Sequence, residues 1–221
     1  PFHVGVLLEN TSEYVAWIYG AAFAGATVVG VNPTRRGAAL RDDIRHTDCG
    51  LIVTDSEHRP LIADLDLEVA PERWLLVDSA SYADELAAGE RLDPDSVRRD
   101  PADRLLLLFT SGSTGAPKAV VCTTGRLAAV AQGAVQSIGI QPDDVFYQSM
   151  PMFHGNAIMA NLAPAAFLGA PVGLRRRFSA SGFLADIRQY GATYFNYVGR
   201  SLAYVLATLE QPDDGENTLR L

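Results

Sequence analysis

The sequence predicts an α/β fold with mostly parallel sheets flanked by helices. Short apolar runs rich in β-branched residues alternate with segments whose apolar residues recur at helical spacing, which is typical of alternating strands and helices. The run at residues 105–109 is apolar without interruption, as expected of a central strand that is covered on both faces. Of the 221 residues, 48% are hydrophobic and 20% are charged, and these ordinary globular values argue against a disordered, collagenous or coiled-coil chain.

The first half of the chain is predicted to hold six strands with helices between most of them. Thr11 or Ser12 can cap the first helix, because a hydroxyl oxygen accepts a hydrogen bond from the free N–H groups of a first turn, and a turn is expected at Gly25. Strands are expected at residues 4–8, 27–31, 51–54, 74–77, 105–109 and 119–122. After the capped helix, further helices are expected at residues 36–47, 59–64, 82–88 and 124–137. The polar residues 92–103 are expected to form a surface connection.

A turn-rich segment at residues 139–144 is expected to separate two domains, residues 1–140 and residues 141–221. The second domain is predicted to contain strands at 145–148, 171–174 and 193–197 and helices at 155–168, 179–189 and 200–209. A strand starts within three residues of the first position, and residues 217–221 have the pattern of an entry to another strand. We therefore expect a fragment of a longer protein.

Charge and cysteine content favour a cytoplasmic protein without a nucleic-acid partner. Lys and Arg number 18 against 26 Asp and Glu, and a net charge of −8 opposes binding to phosphate backbones. Two cysteines, Cys49 and Cys122, are too few for a disulfide scaffold and fit a reducing compartment. The apolar stretches 14–31 and 157–174 are interrupted by glycines or prolines, so neither is predicted to span a membrane. A peripheral membrane contact and an oligomer stay open.

The most informative segment is a loop that follows the apolar run at 105–109. It combines hydroxyl side chains, glycines and one lysine within nine residues: Thr110, Ser111, Gly112, Ser113, Thr114, Gly115 and Lys118. A phosphate chain requires many close donors, which glycine backbones and hydroxyls provide, and a positive charge, which lysine provides. The segment is therefore predicted to bind phosphate groups. The alternative is a flexible surface turn.

This loop is not a Walker A motif. Counted from Gly112, Pro117 stands where that motif has its second glycine, and Ala119 follows the lysine where it has Ser or Thr. The residues after Lys118 favour a strand, so the loop is expected to join two strands.

The segment Thr110-Ser-Gly-Ser-Thr-Gly-Ala-Pro-Lys118 resembles the phosphate-loop signature of the adenylate-forming enzymes, which include acyl-CoA synthetases, luciferases and peptide-synthetase adenylation domains. Met150-Pro-Met-Phe-His154 is similar to a further motif of that superfamily. Leu174-Arg-Arg-Arg-Phe-Ser-Ala180 and Ala192-Thr-Tyr-Phe-Asn-Tyr-Val-Gly199 look most like the fatty-acid transport protein and very-long-chain acyl-CoA synthetase branch. The resemblance implies an incomplete large N-terminal domain.

The resemblance also implies an ATP-dependent ligase for long- or very-long-chain fatty acids. A carboxylate attacks the α-phosphate of ATP, with Mg²⁺ present, and coenzyme A then displaces AMP to form the thioester. By position, Thr110, Ser111, Gly112, Ser113, Thr114, Gly115 and Lys118 would contact the β- and γ-phosphates. Phe153 and His154 would lie at the acyl carboxylate, where His154 orients groups or gates the pocket. Tyr197, Val198 and Gly199 would line the acyl pocket.

Metal ligands are not assigned, because the family's Mg²⁺-binding Glu, ribose-binding Asp and catalytic Lys belong to motifs beyond the chain. The fragment alone is expected not to complete the reaction. Two other functions stay open: a non-catalytic nucleotide- or lipid-binding module, and adenylation of a non-fatty carboxylic acid. The length of the acyl chain stays open as well, and so does the choice between a linear acid and a sterol acid as substrate.

Several charged or reactive groups are predicted to be structural. The run of Arg175, Arg176 and Arg177 is interpreted as a solvated strand end. Three acidic pairs are interpreted as solvated caps or turns, and they are Asp42-Asp43, Asp143-Asp144 and Asp213-Asp214. Cys122 is interpreted as a structural residue because no cationic neighbour in sequence activates it.

Overall fold

The computed structural model describes residues 2–110 and 118–221. The chain forms two compact units, the first ending at Gly125 and the second starting at Arg126. The domain boundary expected after residue 140 stays a prediction.

Among the described residues, the first unit contains one six-stranded sheet. Its strands are β1 (His3–Leu7), β2 (Thr27–Gly30), β3 (Leu51–Thr54), β4 (Trp74–Leu76), β5 (Arg104–Thr110) and β6 (Lys118–Thr123). Its helices are α1 (Ser12–Ala24), α2 (Gly37–His46) and α3 (Ala80–Ala88), with short 3-10 turns at Arg59–Leu61, Pro71–Arg73 and Pro94–Ser96. The strand order is β4-β3-β1-β2-β5-β6, and every neighbouring pair is parallel except β5 and β6. The predicted mostly parallel sheet is confirmed.

The two faces of this sheet are covered by different helices. Side chains of a strand alternate between faces, so Leu7 and Ile52 lie on one face together with Leu40 and Ile44 of α2. The opposite face, which includes Val4, borders an apolar groove of about 390 Å³ that is lined by α1 and α3. Crossovers between parallel strands are right-handed, so the direction in which a crossover moves along the sheet decides which face its helix covers. Because β1–α1–β2 and β2–α2–β3 move in opposite directions, α1 and α2 cover opposite faces.

Helix α1 begins and ends where the sequence predicts. The Thr11 hydroxyl accepts a hydrogen bond from the Tyr14 backbone N–H at 3.3 Å. Gly25 ends the helix in the left-handed conformation with a φ of 75°, which glycine adopts without a steric penalty. The indole N–H of Trp17 donates to the Tyr82 hydroxyl of α3 at 3.1 Å, so the two helices on this face are also joined by a hydrogen bond.

The second unit contains a parallel three-stranded sheet in the order β8-β7-β9 among the described residues. Helix α4 (Thr124–Ile138) leads into it. The remaining elements are β7 (Phe146–Gln148), α5 (Gly155–Ala157), a π-helical turn (Ile158–Leu162), α6 (Ala163–Leu168), β8 (Val172–Leu174), α7 (Phe183–Tyr190), β9 (Tyr194–Phe195) and α8 (Gly199–Leu206). The core of this unit is aromatic, with the rings of Phe146 and Tyr194 4.7 Å apart between neighbouring strands.

Two helices of the second unit differ from the prediction. The helix expected at 179–189 begins only at Phe183, because the Ser179 hydroxyl accepts a hydrogen bond from the Gly182 N–H at 3.2 Å and holds a turn before it. The helix expected at 155–168 is interrupted by the π-helical turn Ile158–Leu162. Among the described residues, no helix is both long enough and apolar enough to cross a bilayer.

The prediction that the acidic pairs are solvated is wrong for one residue in each of the first two pairs. Asp43 is buried and its Oδ2 lies 2.6 Å from Nε of Arg35. Asp144 is buried and accepts hydrogen bonds from the Gln141 N–H at 2.7 Å and from the Thr193 hydroxyl at 2.7 Å. Sequence spacing gives no indication of the Thr193 partner, because that residue lies 49 positions after Asp144.

The basic run at the end of β8 is also more than a solvated strand end. The Arg175 guanidinium Nη1 lies 2.9 Å from Oδ1 of the buried Asp186 on α7. The other carboxylate oxygen of Asp186 accepts a hydrogen bond from the Tyr147 hydroxyl at 2.6 Å. Arg175 therefore joins strand β8 to helix α7.

Candidate active site

The predicted phosphate loop starts at the carboxyl edge of the first unit's sheet. Strands β1, β2, β3 and β5 are parallel, so their carboxyl ends reach the same edge. Gly30, the last residue of β2, is paired with Leu108, and β5 continues for two residues to Thr110. In open α/β sheets ligands bind outside the carboxyl ends of the strands. The position of Thr110 therefore fits a ligand-binding loop.

The loop ends at Lys118, which is the first residue of the neighbouring strand β6. It is paired with Thr110 across the antiparallel β5–β6 ladder, so the two ends of the loop are neighbours. The Lys118 side chain is exposed, and no described carboxylate lies within salt-bridge distance of it. Lys118 is also the only lysine of the sequence. Its ammonium group is therefore available for an anionic ligand, and the β5–β6 hairpin confirms that the loop joins two strands.

The other predicted phosphate contacts, Ser111, Gly112, Ser113, Thr114 and Gly115, lie outside the described residues. Their role stays a prediction.

Polar side chains that the sequence analysis did not single out lie at the same edge. Asn10, which follows β1, is buried, as are Asp55 and His58 after β3. Oδ1 of Asp55 lies 2.6 Å from Nδ1 of the His58 ring and accepts the His58 backbone N–H at 2.8 Å. The signal that would have found them is position: each follows a strand whose carboxyl end reaches this edge.

One group at this edge has the chemistry of metal ligands. Glu9, Glu57 and His58 bring ligand atoms within 4.8 Å of one another. Glu9 and Glu57 already take part in other interactions, so this group is not assigned to a metal.

In the second unit, Phe153 and His154 lie together between β7 and α5. Phe153 is buried, His154 is exposed, and their ring centroids are 4.4 Å apart. The His154 backbone N–H donates to the Pro151 carbonyl at 3.0 Å, and its side chain makes no capping hydrogen bond to α5. Partial desolvation lowers the pKa of His154, so its ring is neutral at pH 7. A neutral ring fits a role in orientation.

The residues predicted to line the acyl pocket lie at the start of α8. Tyr197 is 48% exposed and its ring stacks on the ring of the buried Phe195 at 5.7 Å. Val198 is 50% exposed, and a Cβ at Gly199 would meet no atom within 4 Å. These residues therefore present an open apolar surface, which fits an apolar ligand.

The cysteines have no indicated chemical role. Cys49 and Cys122 are buried, and burial raises the pKa of the Cys49 thiol to about 11.

Comparison with known proteins identifies relatives of this chain. The chain is 56% identical over 220 residues to steroid-22-oyl-CoA synthetase from Rhodococcus jostii, an alignment that covers 99% of this chain and 40% of that protein. It is 46% identical over 220 residues to medium/long-chain-fatty-acid–CoA ligase FadD17 from Mycobacterium tuberculosis, with 100% of this chain and 42% of that protein covered. Long-chain fatty acid transport proteins are among the more distant relatives, which agrees with the predicted branch. The chain spans about two fifths of the length of these two ligases.

A solved structure supports the same assignment. The crystal structure of a long-chain-fatty-acid-CoA ligase from Archaeoglobus fulgidus superposes with a TM-score of 0.80 at 25% identity, over 88% of this chain and 39% of that one. The family model described as AMP-binding enzyme matches residues 2–221. The predicted resemblance to adenylate-forming enzymes is confirmed, and the chain belongs to the AMP-binding enzyme family.

Proposed function

We propose that this chain is the ATP-binding part of an AMP-forming acyl-CoA ligase. The observation that carries the proposal is the β5–β6 hairpin, whose loop leaves the carboxyl edge of a parallel sheet at Thr110 and ends at the exposed Lys118. The names of the two most similar ligases described above support the same reaction class.

The proposed reaction has two steps. An oxygen of the substrate carboxylate attacks the α-phosphorus of ATP, the bond to the β-phosphate bridging oxygen breaks, and pyrophosphate leaves. The sulfur of coenzyme A then attacks the acyl carbonyl carbon of the acyl-adenylate, its proton is released, and AMP leaves. No base is needed in the first step, because a carboxylate is already ionised at pH 7.

The chain's own residues have separate roles in this proposal. Lys118 and the hydroxyls and backbone N–H groups of residues 110–115 hold the β- and γ-phosphates and stabilise the negative charge that develops on the departing pyrophosphate. Mg²⁺ would neutralise part of the same charge when bound. Phe153 and the neutral His154 orient the carboxylate. Tyr197, Val198 and Gly199 form part of the wall for the acyl group.

The proposed substrate is a large apolar carboxylic acid, either a long- or very-long-chain fatty acid or an acid on a steroid side chain. The wall residues Tyr197 and Val198 carry no charge, so nothing in this wall selects an amino group. The two related ligases act, by name, on a steroid acid and on medium- or long-chain fatty acids.

The test is ATP–pyrophosphate exchange by the full-length protein with three acids: palmitate, a steroid C22 carboxylic acid and an aromatic amino acid. We expect exchange with palmitate, the steroid acid or both, and none with the amino acid. Exchange that needs the amino acid would assign the protein to adenylation of a non-fatty acid. ATP binding without exchange for any acid would assign it to the non-catalytic modules.

A further inference from the structure

Three asparagine side chains of the second unit form a hydrogen-bonded chain. The Asn161 Nδ2 donates to Oδ1 of Asn196 at 2.7 Å, and the Asn196 Nδ2 donates to Oδ1 of Asn156 at 2.7 Å. We refer to Asn156, Asn196 and Asn161 as the amide chain. Asn161 and Asn196 are buried and Asn156 is half-buried.

The π-helical turn places Asn161 in this chain. Asn161 lies in the turn Ile158–Leu162, where backbone hydrogen bonds join residues five apart in place of the four of an α-helix. The second N–H of its amide donates to the Tyr147 carbonyl of β7 at 3.0 Å. Both N–H groups of Asn161 therefore have acceptors, and the reversed amide would place its oxygen against a carbonyl oxygen. The orientation of the chain is thus determined by its partners.

Two members of the amide chain, Asn156 and Asn196, lie beside the two segments to which the proposed function assigns the acid. Asn156 is two residues after His154, and Asn196 directly precedes Tyr197. These two asparagines are 40 residues apart in sequence, so their hydrogen bond is a tertiary contact. It ties the start of the helix that follows Phe153 and His154 to the backbone that carries Tyr197 and Val198.

We propose that the amide chain is a positioning device that sets the separation of the two walls of the acid site and thereby its preference among apolar acids. This inference rests on the proposed function. The three amides are neutral, so they hold the walls together without a charge that would repel a carboxylate or attract an ammonium group. None of the three is proposed to touch the reacting atoms.

The experiment compares Asn156→Ala, Asn196→Ala and the double variant in the full-length protein. Asn156 is the main site, because it is half-buried and its loss opens no core cavity. ATP–pyrophosphate exchange gives KM for the acid, KM for ATP and kcat. The matched control is Asn217→Ala, which removes an exposed amide that donates to the Asp214 carbonyl in the same unit.

We expect Asn156→Ala to raise KM for the acid about 3- to 10-fold, the effect of one lost hydrogen bond, and to change KM for ATP less than about twofold. The double variant should match Asn196→Ala alone, because both changes break one chain. The preference between palmitate and the steroid acid should also shift. Asn217→Ala should behave as wild type.

Unchanged KM for the acid in Asn156→Ala, or equal changes in the KM values for acid and ATP, would overturn the positioning role while leaving the proposed function intact. Absence of acid-dependent exchange in the wild type would instead overturn the proposed function, and this inference with it. If Asn196→Ala does not fold, the KM values of Asn156→Ala and Asn217→Ala decide the question.

Discussion

At the scale of single residues, the proposed adenylation depends on the positions of one charged group, Lys118, and one neutral ring, His154. Lys118 combines three properties: it is exposed, it pairs with Thr110 at the carboxyl edge of the sheet, and it is the only lysine of the chain. An ammonium in that position can stabilise developing charge on a phosphate without first breaking an ion pair with a described carboxylate.

Replacing Lys118 with Ala in the full-length protein should slow adenylation roughly 100-fold, the effect typical of losing one charge-stabilising donor. The melting temperature should not change, because the side chain is exposed. Lys118→Arg keeps the charge and should recover part of the rate, and the exposed Arg98→Ala serves as the control. The rate is measured by ATP–pyrophosphate exchange, and an unaltered rate in Lys118→Ala would remove the loop from the mechanism.

His154 should set a pH dependence of acid use. Desolvation lowers the pKa of His154 from its ordinary value of 6.5, so the neutral ring persists below pH 6.5. The kcat/KM for the acid should change only as the pH falls through the lowered pKa of His154. This inflection should disappear in His154→Asn and remain in His46→Asn, which alters an exposed histidine of the other unit. An inflection that survives in His154→Asn contradicts the assignment.

At the scale of elements, strands and helices are held in register by polar residues that lie far apart in sequence. Asp144 precedes β7, Thr193 precedes β9, and Arg220 lies beyond α8, yet the Asp144 carboxylate accepts hydrogen bonds from both of them. Although burial raises the pKa of Asp144, hydrogen bonds from the Gln141 N–H, Thr193 and Arg220 together bring it below its ordinary value.

Asp144→Ala should lower the free energy of unfolding of the second unit by about 2 kcal/mol, because three donors lose their acceptor. The neighbouring Asp143→Ala, at an exposed position, should change it by less than about 0.5 kcal/mol. Denaturant unfolding followed by circular dichroism measures both. Since the pKa of Asp144 is lowered by folding, its contribution is present above the unfolded value of 3.8 and is lost as the pH falls below that value. Equal effects of the two variants would show that the contacts of Asp144 contribute nothing.

At the scale of the whole molecule, the chain spans about two fifths of the length of the two ligases compared above. Each of its units has its own sheet and its own core. The loop proposed for ATP belongs to the first unit, and the residues proposed for the acid belong to the second.

We therefore expect the 221-residue chain by itself to form no acyl-CoA. The full-length protein should convert ATP, coenzyme A and a suitable acid to AMP, pyrophosphate and the thioester. Mass spectrometry of the reaction products shows whether the 221-residue chain and the full-length protein form the thioester. The Lys118→Ala full-length protein is the low-activity reference. Thioester formation by the 221-residue chain at a comparable rate would refute this expectation.

The sequence by itself determined the α/β class, the position of most strands and helices, and the two strands that flank the proposed phosphate loop. Those features depend on neighbours within a few residues: the Thr11 cap, the turn at Gly25, the apolar run of β5 and the closely spaced donors that follow it. The predicted helix start at residue 179 was wrong, because the hydrogen bond from the Gly182 N–H to the Ser179 hydroxyl holds a turn there in place of the first helical turn.

Only the tertiary structure decided which polar side chains are buried and what they bind. Asp144 and Arg220 are 76 residues apart, and Asn161 and Asn196 are 35 residues apart. No periodicity along the chain encodes such pairs, because their free energy depends on desolvation and on partners that other elements supply. The same reason explains why the parallel register, and with it the placement of Thr110 at the carboxyl edge of the sheet, could be read only from the folded sheet.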